Sequence, residues 1–274
     1  MIAAVSAAQG LLAGVCSPMW RGATWARADH PGSWLYSAFV SKQQRNAMNQ
    51  PVIPDVALVD NTEQRTPLVL VLDCSGSMLG EPVQQLNEGL KLLEQELKSD
   101  VIAAKRVRVL VVRYGGFDTA EVVGDWCDAM DFTAPTLEAE GTTPTGRAIE
   151  LALAEVENEK QRFKQAGIAY TRPWLFLMSD GSPTDAWETA AKHARDAEQA
   201  NKVAIFPIAV GEGSQDKAMA QFSSKGAAGV KRLQGLQFRE LFLWLSASMQ
   251  VVSQSRPGGQ AQLPSTDTWS SVPT

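Results

Sequence analysis

The sequence predicts an α/β fold: a doubly wound, mostly parallel six-stranded sheet with helices on both faces and one antiparallel edge strand. Three observations carry this reading. From Pro67 onward short apolar runs alternate with segments of helical periodicity, the pattern of strands whose crossovers cover both faces of a parallel sheet. Two of the apolar runs, 67–72 and 174–178, are each followed by an aspartate within two residues. Only one pair of runs is joined by a short glycine-containing link, Tyr114-Gly-Gly-Phe-Asp118, which implies a hairpin at one edge.

The strands are expected at 67–73, 106–113, 119–125, 172–179, 202–210 and 230–234. Between the first two lies a helix with Pro82 near its first turn and Val83, Leu86, Leu90, Leu93 and Leu97 on one stripe. A second helix starts after Pro144 and places Ile149, Leu153, Val156 and Phe163 on one face. The third runs from about Asp185 to Asn201, where Ala190, Ala194 and Ala197 permit close approach to the sheet. The last spans 237–254, and its segment Leu241-Phe-Leu-Trp-Leu245 is apolar all round, more than one core stripe needs. Its outer side is therefore expected to be covered by the N-terminal arm or by a partner.

Length and composition bound the rest. A chain of 274 residues with 45% apolar content supports one large domain, assigned to 60–254. Residues 1–59 read as a largely irregular N-terminal extension, with Met48 as an alternative start, and 255–274, rich in Pro, Ser, Gly and Thr, as a flexible tail. Residues 12–16 loosely match a lipoprotein cleavage site, but Val15 before Cys16 is not small, and no run reaches the length needed to span a bilayer. A net charge of −5 without a basic stretch argues against nucleic acid as the ligand. Three cysteines, Cys16, Cys74 and Cys127, match no zinc or redox spacing, which fits reduced thiols in a cytoplasmic protein.

The chemistry concentrates in three segments. Residues 73–78, Asp-Cys-Ser-Gly-Ser-Met, deliver Asp73, Ser75 and Ser77 at a strand end, with Gly76 turning the chain between the serines. Residues 141–146, Gly-Thr-Thr-Pro-Thr-Gly, supply Thr143, and the strand at 175–179 delivers Asp180. In a doubly wound sheet these loops meet at the carboxyl ends of neighbouring strands. Two carboxylates and three hydroxyls form a hard-oxygen set suited to Mg²⁺, with Mn²⁺ or Ca²⁺ as alternatives. Each residue also has a plainer reading: Asp73 and Thr143 as helix caps, Asp180 as a turn cap, and Thr142 or Thr145 in place of Thr143.

Other polar residues read as bystanders. Asp118, Asp125, Asp128, Asp131, Glu138 and Glu140 have irregular spacing and are expected to form a solvated acidic edge. His30 and His193 lack ligand neighbours, and Cys74 is expected to be a buried, inert thiol.

Together the three segments resemble the von Willebrand factor A domain, a Rossmann-like fold whose metal-ion-dependent adhesion site combines Asp-x-Ser-x-Ser with a distant Thr and a distant Asp. On that resemblance Asp73, Ser75, Ser77, Thr143 and Asp180 take those positions. Further resemblance, to the TerY-like bacterial branch associated with tellurium resistance and stress operons, rests on residues 86–90 (LNEGL), 141–144 (GTTP), 170–174 (YTRPW), 180–185 (DGSPTD) and 238–246 (FRELFLWLS). It implies a non-enzymatic, Mg²⁺-dependent adaptor that grips an Asp or Glu of a partner protein, a kinase/phosphatase or an ATPase of the same operon, in a stress-response, tellurium-resistance or phage-defence setting. The alternative readings are a subunit docked on an ATPase assembly, and a Mg²⁺-dependent phosphohydrolase with Asp73 as nucleophile. The latter lacks the second aspartate two residues on, where Ser75 stands, and has no Gly-Lys-Ser/Thr loop.

Overall fold

A computed structural model describes residues 58, 60–211, 216–233, 235–267 and 270–271. The expectations for residues 1–57, including the arm, Cys16, His30 and the Met48 start, lie outside the described residues. All six expected strands are present: β1 (Thr66–Cys74), β2 (Val107–Gly115), β3 (Thr119–Asp128), β4 (Trp174–Ser179), β5 (Ala204–Val210) and β6 (Lys231–Leu233). Five are parallel, and β3 pairs antiparallel with β2 at the edge, as the Tyr114–Asp118 link requires. A two-residue strand, β7 (Ser270–Ser271), joins β6 antiparallel and gives the order β3-β2-β1-β4-β5-β6-β7. The winding reverses between β1 and β4, so the ends of these two strands frame the switch-point crevice.

Alternate residues of β1 serve the two faces. Leu68, Leu70 and Leu72 enter one core with helix α1 (Glu81–Ser99), whose Leu86, Leu90, Leu93 and Leu97 are fully buried. Each such leucine contributes on the order of 2 kcal/mol. Val69 and Val71 enter the other core with α3 (Thr145–Ala166) and α4 (Glu188–Gln199). Between α1 and β2 lies α2 (Val101–Arg106), capped by Asp100 Oδ1, which accepts from the Ile102 and Ala103 amides. A four-residue α5 (Asp216–Met219) precedes the final helix, α6 (Phe238–Gln254). Helix α6 packs on α1 at Gly89, where an added Cβ would lie 2.3 Å from Phe242 Cδ2. Only glycine admits that ring.

One contact and one correction stand out at the periphery. Trp244 Nε1 donates to Pro264 O at 2.9 Å, and Ala261 and Leu263 pack on the same core, so the segment after α6 lies against that helix. Residues 261–264 thus return over α6, where the Pro264 carbonyl accepts from the indole. Asp128, read as part of a solvated edge, is buried. It accepts from Arg65 Nε at 3.1 Å, Arg108 Nη1 at 3.3 Å and Asn61 Nδ2 at 3.0 Å, and Arg108 also pairs with Glu159. Two buried guanidiniums between two buried carboxylates satisfy one another where isolated charges would be untenable.

Candidate metal centre

Asp73 reaches the carboxyl end of β1 as a buried side chain with both oxygens engaged. Its Oδ1 accepts from the Ser75 amide at 2.9 Å and its Oδ2 from Ser179 Oγ at 2.7 Å. The chain then turns through a single 3-10 turn, Gly76–Met78, which sets the two serine hydroxyls side by side, Ser75 Oγ 3.0 Å from Ser77 Oγ. Ser77 Oγ in turn donates to Asp180 Oδ1 at 2.7 Å. Hydroxyls from the β1 loop and a carboxylate from the β4 loop therefore share one point above the switch.

Thr143 arrives on a loop threaded between its neighbours. Gly141 O accepts from the Gly76 amide at 3.0 Å, and Glu140 N donates to Cys74 O at 2.8 Å. Gly141 takes φ +74°, and a Cβ there would lie 1.8 Å from Gly116 O, so the loop can pass only as glycine. A methyl group placed on Gly181 would sit 3.6 Å from Thr143 Oγ1 and 3.9 Å from Ser77 Oγ, which puts both hydroxyls beside the Asp180–Gly181 turn. Thr142 Oγ1 instead accepts from the Asp118 amide at 3.1 Å, and Thr145 is fully buried under the loop. Of the three threonines, Thr143 is the one beside the site.

Electrostatics sharpen this picture. Burial pushes the Asp73 carboxyl up to about 6, against the opposing hydrogen bonds from Ser179 and Ser75, and the neighbouring Asp180 charge raises it further. Asp180 is also raised by burial, and its bond from Ser77 only partly offsets this. Both carboxyls are thus held above the ordinary carboxylate value chiefly by burial, a cost that a neighbouring cation would offset. Hard oxygens of this kind, two carboxylate groups and three neutral hydroxyls, fit Mg²⁺ or Mn²⁺. Among the described residues no group of three or more His, Cys, Asp or Glu side chains is placed to hold a metal ion, so any ion here must rely on the hydroxyls. Cys74, within the motif, is buried, and burial pushes its thiol up to about 12. His193 lies at the surface, 2.7 Å from Glu150.

Three supporting residues have roles that sequence reasoning did not assign. Ser179 orients Asp73 as described above. Thr184 clamps the Thr143 loop: its Oγ1 accepts from the Thr143 amide at 3.0 Å while its amide donates to Thr143 O at 2.9 Å. Asp185 caps α3 from 39 positions away, accepting from the Gly146 and Arg147 amides at 3.1 and 2.9 Å. The available signal was the polar run 180–185, dense in capping residues yet followed by no helix of its own before Glu188.

A family model described as von Willebrand factor type A domain matches residues 68–235. No curated protein sequence matches the chain. Among solved structures, the pilus adhesin SpaC from Lactobacillus rhamnosus GG, in its open conformation, is similar with a TM-score of 0.57 and 12% identity, over 69% of this chain and 31% of that one. A von Willebrand factor type A protein from Catenulispora acidiphila gives 0.51 and 21%, over 69% and 43%. Proximal thread matrix protein 1 from the mussel byssus gives 0.50 and 15%, over 70% and 47%. This chain thus spans less than half the length of each of these three, and at such identities the likeness is one of fold. Strand order, switch-point geometry and a family match over more than half of the residues agree: the chain belongs to the von Willebrand factor type A domain family.

Proposed function

We propose that the domain is a Mg²⁺-dependent adaptor in which Asp73, Ser75, Ser77, Thr143 and Asp180 form a metal-ion-dependent adhesion site that captures an acidic residue of a partner protein. The observation that carries the reading is the oxygen chain Ser75 Oγ, Ser77 Oγ, Asp180 Oδ1, closed at 3.0 and 2.7 Å beside the buried Asp73. When bound, the cation supplies an electrophilic point for a partner's carboxylate. The chain's own residues set its strength: only two carboxylates face the site, and the neutral hydroxyls offset little positive charge. Ser179 and the Ser75 amide fix the direction of Asp73, while Thr184 and Asp185 hold the Thr143 loop in register. Family membership supports this reading, since such domains serve mostly as interaction and adhesion modules.

The motifs shared with the TerY-like branch favour a bacterial stress-response, tellurium-resistance or phage-defence system, with a kinase/phosphatase partner encoded nearby. No bond chemistry is assigned to the domain, because Ser75 stands two residues after Asp73, where a second aspartate would be needed as acid/base. Affinity capture with the products of neighbouring genes, in Mg²⁺ and in chelator, tests the proposal. Retention of a partner in Mg²⁺ and its loss in chelator and in Asp73→Ala is expected; undiminished capture in chelator would overturn it.

A further inference from the structure

At the opposite end of the sheet from Asp73 and Asp180, where β4 and β5 begin, lies a cavity of about 730 Å³. Its size is that of a small-molecule site. Five cations line it: Lys160 and Lys164 from the last turns of α3, Arg172 before β4, Lys202 before β5 and Arg256 after α6. No carboxylate lines it, although the chain carries 30 acidic residues and a net charge of −5. Such segregation of charge focuses a positive field on one concave surface.

The cations differ in how they are engaged. Lys160 donates to Glu157 at 2.8 Å, and Arg172 Nη2 donates to Glu198 O at 2.7 Å, which anchors that guanidinium. Arg172 Nε is buried without a hydrogen-bond partner among the described residues. Lys164, Lys202 and Arg256 have no ion pair among the described residues. The remaining wall is apolar and aromatic, with Tyr170, Trp174 and Phe206, the last two with ring centroids 4.5 Å apart. Residues after α6, among them Gly258 and Gly259, line one side.

We propose that this cavity binds a nucleoside phosphate, its phosphate oxygens held by Lys164, Arg172, Lys202 and Arg256 and its base against the aromatic wall. Lys164, Lys202 and Arg256 without ion pairs, the Arg172 guanidinium and the partly exposed Tyr170 and Phe206 in one concavity match the two halves of such a ligand. The site stands apart from the metal centre and does not depend on it.

Calorimetry of the full chain with ADP, adenosine and tripolyphosphate, all in chelator, tests the assignment while leaving divalent cations out. Saturable ADP binding that weakens with added salt is expected, stronger than binding of either fragment. Lys164→Glu and Lys202→Glu, both at exposed positions, should each weaken ADP by about tenfold or more with unchanged thermal stability. Absence of ADP binding, undiminished binding in both variants, or tripolyphosphate binding as tightly as ADP would overturn the proposal.

Discussion

The Ser77 hydroxyl donates to Asp180 Oδ1 at 2.7 Å, joining residues 103 positions apart. This one bond ties the loop after β1 to the loop after β4 across the switch point. It also identifies the oxygens that a cation would draw together, since a hydroxyl that hydrogen-bonds a carboxylate can turn its lone pairs to a metal without moving its backbone.

Burial of Asp73 implies a cost in the metal-free protein. Its carboxyl is raised from an ordinary 3.8 to about 6, so between these values the native chain keeps a proton that the unfolded chain has lost. Stability therefore falls as pH rises through that window, by on the order of 3 kcal/mol at neutral pH. Asp73→Asn in chelator at pH 7 should melt no lower than the parent, and the difference between the two should vanish near pH 4. A variant that melts far lower at pH 7 would contradict this account.

The same proton competes with a cation. Metal affinity should be nearly constant above pH 7 and fall by about tenfold per unit well below pH 6, as Asp73 is protonated. Titrations with Mn²⁺ between pH 5 and 8 check this; a flat profile would show that Asp73 takes no part.

Much of the candidate site was legible because strand-end aspartates announce themselves: Asp73 directly follows an apolar run, and Asp180 follows another after Ser179. The edge hairpin was legible for a similar reason, from the two glycines at 115 and 116. What escaped depends on distant partners. Asp128 reads like any acidic residue until Arg65 and Arg108 are placed beside it. Ser179, Thr184 and Asp185 carry no pattern of their own, since their acceptors and donors lie in other loops. Helix α2 is six residues long, too short for periodicity, although Asp100 marked its start. The bond from Trp244 to Pro264 O likewise joins distant residues and has no pattern in the sequence.

Asp185 serves two ends at once. Asp185→Ala leaves the Gly146 and Arg147 amides without their acceptor and loosens the loop bearing Thr143. Stability should fall by about 1–2 kcal/mol and metal affinity by severalfold, although Asp185 itself is no ligand. Chemical denaturation and metal titration of the same variant read both effects.

Close packing of α1 on α6 depends on Gly89. Gly89→Ala should destabilise by about 1–3 kcal/mol through the clash with Phe242, despite the better helix propensity of alanine. Combination with Phe242→Leu should recover part of that loss. If Gly89→Ala is neutral in urea unfolding, the helices do not meet as described.

The most direct test is a calorimetric titration of chelator-stripped full-length protein with Mg²⁺, comparing the parent with Ser77→Ala and Asp180→Ala. The account predicts one ion per chain for the parent and an affinity at least about tenfold lower in each variant, with folding retained. Binding of equal strength in all three proteins would place the ion elsewhere and contradict the account at its centre.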